Sequence, residues 1–192
     1  LKEELIQIAT HDVRRIDRLV SEISDASRID AEMSRARLET IDLGDMVRAI
    51  IGGREDRAEN AGRPIAIDRR GFAARVRGVG ARLERVVENL LDNAVSFSPP
   101  DAPIDVGIDN DGSWVTLTIC DHGPGIPEES REKVFQRFHS VRPDEEDFGN
   151  HSGLGLAIAR AIAEAHDGTL TAEARADGAH GACLKLRLPA AA

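Results

Sequence analysis

Hydrophobic residues in the middle of the chain recur at the spacing of an α-helix. Between residues 83 and 97 the apolar positions are Leu83, Val86, Val87, Leu90, Leu91 and Ala94. Positions three and four residues apart share one helix face, so this pattern predicts an amphipathic helix packed on a core. Another face carries Arg85, Asn89 and Asn93 at intervals of four residues. Because asparagine is unfavourable inside a helix unless its amide binds something, these amides are expected either to face solvent or to bind a polar ligand, for which Mg²⁺ is a candidate.

Apolar and polar residues alternate in several short segments, and this alternation predicts strands. The predicted strands are residues 65–67, 74–76, 104–108, 114–120, 170–174 and 183–188. An Arg-rich turn that includes Gly71 is expected between the first two strands, and a hairpin turn is expected at residues 110–112. The last two strands are expected to close the sheet as an antiparallel pair.

Capping residues and helical spacing predict three further helices in the same part of the chain. Asp42 is the expected N-cap of a helix that runs to about Ala61, and two more helices are expected over residues 127–135 and 153–166. Residues 34–41 are expected to form a connector. Helices and strands mixed in this way predict an α+β fold.

The first 33 residues contain neither glycine nor proline and place apolar residues on one side of a predicted helix. At 1.5 Å per residue such a helix would be about 45 Å long, which suits an antiparallel bundle or a coiled coil. One amphipathic helix cannot bury its own apolar stripe, so a partner is implied, which could be another copy of the chain. The expected division is therefore a helical segment over residues 1–38 and a second domain over residues 42–192.

Composition narrows the function classes for these 192 residues. The net charge of −9 argues against nucleic acid as the main partner. No run of 18 apolar residues exists, and the first ten residues lack the pattern of a signal peptide. Cys120 and Cys183 both fall in predicted strands. They are expected to be small core residues in a reducing compartment rather than a disulfide.

The segment from Asp121 to Ile126 follows a predicted strand and contains Gly123 and Gly125. A carboxylate at a strand end can accept a hydrogen bond from the exocyclic amino group of adenine. Guanine presents a carbonyl at that edge, and an unmade buried hydrogen bond costs about 1 to 3 kcal/mol, so adenine is favoured. The glycines would allow a sharp turn and a close approach of the backbone to a flat ring. The alternative is an ordinary turn without a ligand.

A second glycine-bearing segment, Ser152 to Arg160, leads directly into a predicted helix. Free amide groups at a helix start, together with the helix dipole, form an anion site, and phosphate would be the natural occupant. Ser152 could equally be only an N-cap. The chain contains no Gly-x-x-x-x-Gly-Lys-[Ser/Thr] motif, which excludes a P-loop nucleotide-binding protein.

Four segments occur in the order of the N, G1, F and G2 boxes of sensor histidine kinases. They are Asn89–Asn93, Asp121–Ile126, Phe135–Phe138 and Ser152–Leu156. The chain thus resembles the catalytic ATP-binding domain of that family, of the Bergerat type shared with gyrase B subunits, mismatch-repair MutL and some heat-shock chaperones. The resemblance implies an α/β sandwich with a mixed, mainly antiparallel sheet and helices on one face.

The same resemblance assigns expected roles to individual residues. Asn93 would ligate Mg²⁺, Asn89 would lie by the phosphates, and Asp121 would read the adenine of ATP. The remaining expected nucleotide-binding residues are Gly123, Gly125, Ile126, Arg137, Ser152, Gly153, Leu154, Gly155 and Leu156. For Arg137, contact with a phosphate and a merely structural pairing of Phe135 with Phe138 remain equal alternatives. Residues 139–151 are polar and acidic, and we expect them to form a lid over the nucleotide.

Residues 16–30 resemble the second helix of the hairpin through which these kinases dimerise and accept phosphate. His11 imitates the phosphoacceptor motif, but Ile16 stands where that motif has proline. We therefore expect His11 to be a surface residue and the true acceptor to lie upstream of Leu1. The implied protein is the cytoplasmic part of an inner-membrane-anchored bacterial sensor, a homodimer that passes phosphate to an aspartate of a response regulator.

Two other functions are compatible with the sequence. A Bergerat-type ATPase would hydrolyse ATP, but such enzymes place a glutamate four residues before the metal-binding asparagine. Here that position is Asn89, whose amide cannot act as a general base, and Glu88 would point about 100° away. The third possibility is a degenerate nucleotide-sensing or dimerisation module.

The sequence departs from the family pattern at two positions. Ser96 stands where many kinases of the family have a lysine, and Ala182 replaces a common hydroxyl residue near the adenine.

Overall fold

The computed structural model describes residues 37–54, 64–71, 73–138 and 153–191. The strands are β1 (Glu39–Asp42), β2 (Ile65–Gly71), β3 (Arg75–Gly78), β4 (Ile104–Asn110), β5 (Trp114–Cys120), β6 (Thr169–Ala174) and β7 (Ala182–Pro189). The helices are α1 (Leu43–Gly52), α2 (Gly80–Phe97) and α3 (Gly155–Ala165), with 3₁₀ turns at Glu128–Ser130 and Lys133–Phe135. None of the helices in these ranges is both long and apolar enough to cross a membrane.

The main sheet has five strands in the order β2-β4-β5-β7-β6. β2 runs parallel to β4, whereas every other neighbouring pair in the sheet is antiparallel. This arrangement confirms the predicted mixed, mainly antiparallel sheet and the predicted closing pair, β6 and β7. The hairpin between β4 and β5 also forms where it was predicted, with the Gly112 N–H donating to Asn110 Oδ1 at 2.8 Å.

One face of the sheet packs against the helices and forms the core. The buried side chains of the central strands are Ile104, Val106, Ile108, Val115, Leu117, Ile119, Leu184, Leu186 and Leu188. They meet the apolar faces of α2 and α3, and the six apolar positions predicted for α2 are all buried. Alternate residues of β4 and β5 point to the other face and are half-buried or exposed. The predicted α+β sandwich with helices on one face is confirmed.

The first helix begins as predicted and ends earlier. Asp42 is its N-cap, and its side chain accepts hydrogen bonds from Gly44 N–H at 2.9 Å and Asp45 N–H at 3.1 Å. The helix stops at Gly52 rather than near Ala61, because consecutive glycines end it and Gly53 N–H closes back onto Ala49 O at 3.0 Å.

The connector predicted over residues 34–41 is wrong at its end, where residues 39–42 form β1 and pair antiparallel with β3. Four residues are too few to show the alternation of a strand, and β1 is defined only by its pairing with β3.

The Arg-rich turn predicted around Gly71 is also wrong. β2 continues to Gly71 because β4 pairs along its whole length, ending at Asn110. The helix predicted over residues 127–135 consists of two separate 3₁₀ turns.

Both cysteines lie in strands as predicted, but the prediction that they do not form a disulfide is wrong. Cys120 and Cys183 form a disulfide between β5 and β7. They are 63 residues apart in sequence, and the register of β5 with β7 makes them direct cross-strand partners. A count of two cysteines carries no information about that register.

Several sequence predictions lie outside the described residues. They are the long helix over residues 1–33 with His11, the lid over residues 139–151, and Ser152.

Candidate functional site

Helix α2 brings the predicted asparagine face next to the predicted phosphate-binding helix. Asn89 Nδ2 donates to the backbone oxygen of Gly155, the first residue of α3, at 3.0 Å. Asn93 lies one turn further along α2 and is half-buried. Within the described ranges the side chain of Asn93 makes no hydrogen bond, so its amide is available to a ligand.

The C-terminal end of α2 meets the segment that begins at Asp121. The N–H of His122 donates to Ser98 Oγ at 3.1 Å. A Cβ atom on Gly123 would lie 2.4 Å from the backbone oxygen of Phe97, so only glycine fits there. The absence of a Cβ thus serves the contact with α2, whereas the sequence suggested contact with a flat ring. Helix α2 therefore contacts the Asp121 segment at its C-terminal end and contacts the start of α3 through Asn89, nearer its middle.

Asp121 is a buried carboxylate with one oxygen fixed by the backbone. It is 4% exposed, and its Oδ1 accepts hydrogen bonds from Gly123 N–H at 2.9 Å and Ala182 N–H at 3.1 Å. Among the residues that the structure describes, none donates a hydrogen bond to Oδ2. This second oxygen can therefore serve as an acceptor for a ligand.

Burial raises the pKa of Asp121 above its usual value of 3.8, and the N–H groups of Gly123 and Ala182 partly offset that rise. A raised pKa in the folded state means that folding favours the protonated form. The contribution of Asp121 to the free energy of unfolding therefore falls as the pH rises from 3.8 through the raised pKa. At higher pH the site holds a carboxylate whose negative charge is incompletely neutralised, and a hydrogen-bond donor would stabilise it.

We expect the pKa of the Asp121 carboxyl group to fall when an adenine nucleotide binds, because a donated hydrogen bond favours the ionised form. The measurement is a pH titration of the side-chain ¹³C resonance, with and without Mg-ADP, assigned by comparison with Asp121→Asn. A pKa that stays the same in the presence of saturating nucleotide would contradict the contact.

Arg175, in the loop between β6 and β7, links the backbone of Asp121 to the acidic residues around it. Its guanidinium donates to the backbone oxygen of Asp121 at 3.2 Å and pairs with Asp105 Oδ2 at 2.9 Å. It also makes two hydrogen bonds to Asp177, at 2.7 and 3.1 Å, and its side chain is only 8% exposed. The hydrogen bond from Arg175 lowers the pKa of Asp177 to about 2. His122 Nε2 lies 3.0 Å from Asp105 Oδ2 and belongs to the same cluster.

Arg175→Ala should lower the free energy of unfolding by about 2 kcal/mol, since it removes charge-assisted hydrogen bonds at a nearly buried position. It should also weaken nucleotide binding, because the backbone at Asp121 loses its support. Urea denaturation and calorimetric titration with ATP measure the two effects. Arg70→Ala is the matched control, because its pair with Asp68 is exposed and is expected to contribute at most about 0.5 kcal/mol. Equal effects of the two variants would contradict this role of Arg175.

Two glycines also shape the Asp121 region. Gly181 has a φ of +127°, and a Cβ atom there would lie 2.0 Å from the backbone oxygen of Asp121. Gly125 has a φ of +83°, and its Cβ position is 3.0 Å from the backbone oxygen of Gly181. Gly125 was predicted from the sequence to belong to the site, whereas Gly181 and Arg175 were not. The glycine-containing stretch between the last two strands signals a loop but does not reveal which residues it contacts.

The Phe135–Phe138 segment lies beside the entry to α3. Phe135 is buried, and the guanidinium of Arg160 lies 5.0 Å from the centre of its ring. Phe138 is 67% exposed, and its N–H donates to Gly153 O at 3.0 Å. The two rings therefore do not share one packed environment, which speaks against the structural pairing. Arg137, between them, is exposed next to the glycine segment.

Among the described residues, no side chain caps the amide groups at the start of α3. Its N-cap is Leu154, which is buried and makes no capping hydrogen bond through its side chain. Gly153 has a φ of +68° and turns the chain into the helix. Leu156 packs against the core, whereas the first N–H groups of the helix form an end suited to an anion.

Comparison with known proteins agrees with this arrangement of segments. The family model described as "Histidine kinase-, DNA gyrase B-, and HSP90-like ATPase" matches residues 78–192. Over 208 residues the chain is 42% identical to the sensor protein ChvG of Rhizobium meliloti strain 1021, with 98% of this chain and 34% of that protein covered. The identity to the ChvG of Agrobacterium fabrum strain C58 is 40% over 200 residues, with 99% and 34% covered. The chain thus spans about a third of the length of these relatives.

A similar fold occurs in a solved structure, the mycobacterial sensor histidine kinase MprB. The TM-score is 0.63 at 30% sequence identity, and the match covers 80% of this chain and 97% of that chain. The region matched by the family model includes α2, Asp121 and α3.

Proposed function

The chain belongs to the family of histidine kinase-, DNA gyrase B- and HSP90-like ATPases, and we propose that residues 42–192 bind Mg-ATP as the catalytic domain of a sensor histidine kinase. The observation that carries the proposal is the pairing of two features around α2. At one end of α2 lies a buried carboxylate, one oxygen of which is engaged by none of the described residues, and an amide face of α2 lies against the start of α3.

Asp121 is proposed to read the base. With Oδ1 committed to Gly123 and Ala182, Oδ2 would accept a hydrogen bond from the exocyclic amino group of adenine. Guanine would place a carbonyl oxygen there, and two acceptors facing each other in a buried site cost about 1 to 3 kcal/mol. Ile126 is half-buried and packs at the edge of the core, where it would contact the base.

Asn93 is proposed to hold Mg²⁺. Its side-chain oxygen is a hard ligand, it is half-buried, and it has no partner among the described residues. These properties suit an ion that takes few protein ligands and shares the phosphates of its nucleotide. Bound Mg²⁺ would neutralise negative charge on the phosphates. Asn89 is tied to Gly155 O and would lie beside the phosphates.

The start of α3 is proposed to bind the phosphates. The N–H groups of Gly155 and Leu156, at the positive end of the helix dipole, would donate to phosphate oxygens. Arg137, exposed beside Gly153, would add a positive charge that Ser96 cannot supply. Ser152 and a lid over residues 139–151 would complete the phosphate-binding part of the site.

A kinase fits the residues better than a hydrolase. Hydrolysis needs a general base near the terminal phosphate, and the position that supplies it in gyrase-like enzymes is Asn89 here. The Asn89 amide is also engaged in a hydrogen bond to Gly155. The nucleotide would therefore transfer its γ-phosphate to a histidine on a dimerisation hairpin rather than to water.

The remaining steps belong to the longer protein of which this chain is proposed to be the cytoplasmic part. The hairpin would make the protein a homodimer, and the phosphorylated histidine would pass its phosphate to an aspartate of a response regulator. We do not assign His11 as the acceptor, because Ile16 occupies the place of the motif's proline. A membrane anchor would lie in the part of the protein that senses the signal.

Asn93→Ala should remove the contribution of Mg²⁺ to nucleotide binding. We expect the affinity for ATP in the presence of Mg²⁺ to fall by at least about tenfold, as is typical when the coordination of a metal is disturbed. Without Mg²⁺, in the presence of a chelator, the variant and the wild type should bind alike. Calorimetric titration measures both, and Glu84→Ala, an exposed change on the same helix, is the control. An unchanged dependence on Mg²⁺ in Asn93→Ala would refute the assignment.

A further inference from the structure

The disulfide lies beside the carboxylate proposed to read adenine. Cys120 ends β5, Cys183 is the second residue of β7, and the two are register partners. The adjoining pair, Asp121 and Ala182, exchanges two hydrogen bonds. Asp121 N–H donates to Ala182 O at 2.9 Å, and Ala182 N–H donates to Asp121 Oδ1 at 3.1 Å. The covalent link is thus one residue from both hydrogen bonds that join Asp121 to Ala182.

The disulfide lies on the sheet face opposite the helices of the core. Cross-strand partners share a face, and the neighbours of the two cysteines in register are Asp105 on β4 and Glu173 on β6. Their side chains are 41% and 45% exposed. Cys120 is half-buried, whereas Cys183 is buried. A small thiol or disulfide in solution therefore reaches the pair through Cys120.

The compartment in which the protein is proposed to work suggests a role for this disulfide. A protein that uses cytoplasmic ATP works where glutathione and thioredoxin keep thiols reduced. A disulfide in such a protein is usually transient and serves catalysis or redox sensing. The chain has no other cysteines with which these two could pair.

We propose that Cys120 and Cys183 are a thiol–disulfide exchange site that sets the affinity of the nucleotide site, with a low-molecular-weight disulfide of the glutathione class as oxidant. The inference rests on the proposed ATP-binding function. The bridged form holds β5 and β7 in the register that aligns Asp121 with Ala182. The dithiol form lets this end of the strand pair open, so the acceptor for adenine is less well fixed and ATP binds more weakly.

The exchange proceeds in two balanced steps. The Cys120 thiolate attacks one sulfur of the oxidant, whose S–S bond breaks and releases one thiolate with the bonding electron pair. The Cys183 thiolate then attacks the Cys120 sulfur of the mixed disulfide, and the second thiolate leaves. The two cysteines lose two electrons and two protons in total, and the oxidant becomes two thiols.

The test compares the two redox states of the unmodified 192-residue chain. The chain is equilibrated with oxidised or with reduced glutathione, and alkylation followed by mass spectrometry counts the free thiols. Calorimetric titration with Mg-ATP then gives the affinity of each state. We expect the dithiol form to bind about fivefold more weakly, the effect of losing roughly one neutral hydrogen bond. The Cys120→Ser/Cys183→Ser variant should bind like the dithiol form under both conditions.

Equal affinities in the two verified redox states would overturn the inference while leaving the ATP site intact. Failure of oxidised glutathione to form the disulfide would overturn it as well. Absence of ATP binding in both states would instead refute the proposed function, and this inference with it. Because the wild type supplies both states, the outcome does not depend on how well the double variant folds.

Discussion

Asp121→Asn should reduce the affinity for ATP by about 100-fold, the equivalent of roughly 3 kcal/mol. The reason is the orientation that the backbone imposes on residue 121. Because the N–H groups of Gly123 and Ala182 point at Oδ1, the oxygen of an asparagine would have to stay there. Its NH₂ group would then face the amino group of adenine, and two donors would meet in a buried site. Calorimetric titration with Mg-ATP measures the loss.

The control for this substitution is Asp109→Asn. Asp109 is exposed on β4, towards the opposite end of the strand from Asp105, the register partner of Cys120. Asp109→Asn removes the same charge as Asp121→Asn. The affinity for ATP should stay within about twofold of the wild type, as for surface changes remote from a site. If Asp121→Asn retained the wild-type affinity while remaining folded, Asp121 would not be the residue that reads the base.

Gly181→Ala should be the most damaging single-methyl substitution near the site. The new Cβ would lie 2.0 Å from the backbone oxygen of Asp121, and a φ of +127° is a conformation that alanine rarely adopts. Strained backbone costs about 1 to 3 kcal/mol, and relief of the overlap costs about as much again. We therefore expect the free energy of unfolding to fall by at least about 3 kcal/mol. ATP binding should weaken in parallel, since the chain relaxes by displacing Asp121.

Gly178→Ala separates the two contributions. Gly178 lies in the same loop with a φ of +73°, but a Cβ atom there would have no neighbour within 4 Å. It should cost only the backbone strain, about 1 to 2 kcal/mol, and leave the affinity for ATP unchanged. Chemical denaturation and titration with ATP would be measured for both variants. Equal losses in the two would show that Gly181 is needed only for its backbone conformation and not for its contact with Asp121.

The parts of the fold that depend on local periodicity were predictable from the sequence. The apolar positions of α2 are the buried ones, and β4, β5, β6 and β7 lie where alternation indicated. The candidate residues Asn89, Asn93 and Asp121 were found for a related reason. Asn89 and Asn93 are amides inside a helix, where asparagine is unfavourable, and Asp121 is a carboxylate directly after a strand.

Features that depend on which distant elements become neighbours were not predictable. β1 exists only because β3 pairs with it, and the disulfide exists only in the register of β5 with β7. In the sequence, Arg175 and Gly181 resemble ordinary loop residues, and only the folded structure shows that both lie against the backbone oxygen of Asp121. The end of α1 at Gly52 was marked by two glycines, but the glycine and proline at positions 62 and 64 indicated the helix stop, which predicted a longer element.

The central claim is that adenine is read by Asp121 while the metal ion of the same nucleotide is held by Asn93. A crystal structure of the chain with Mg²⁺ and a non-hydrolysable ATP analogue tests it most directly. The account predicts the adenine amino group about 3 Å from Asp121 Oδ2 and Mg²⁺ about 2.1 Å from the Asn93 side-chain oxygen. A nucleotide bound with its base away from Asp121, or a metal ion without Asn93 among its ligands, would contradict the account.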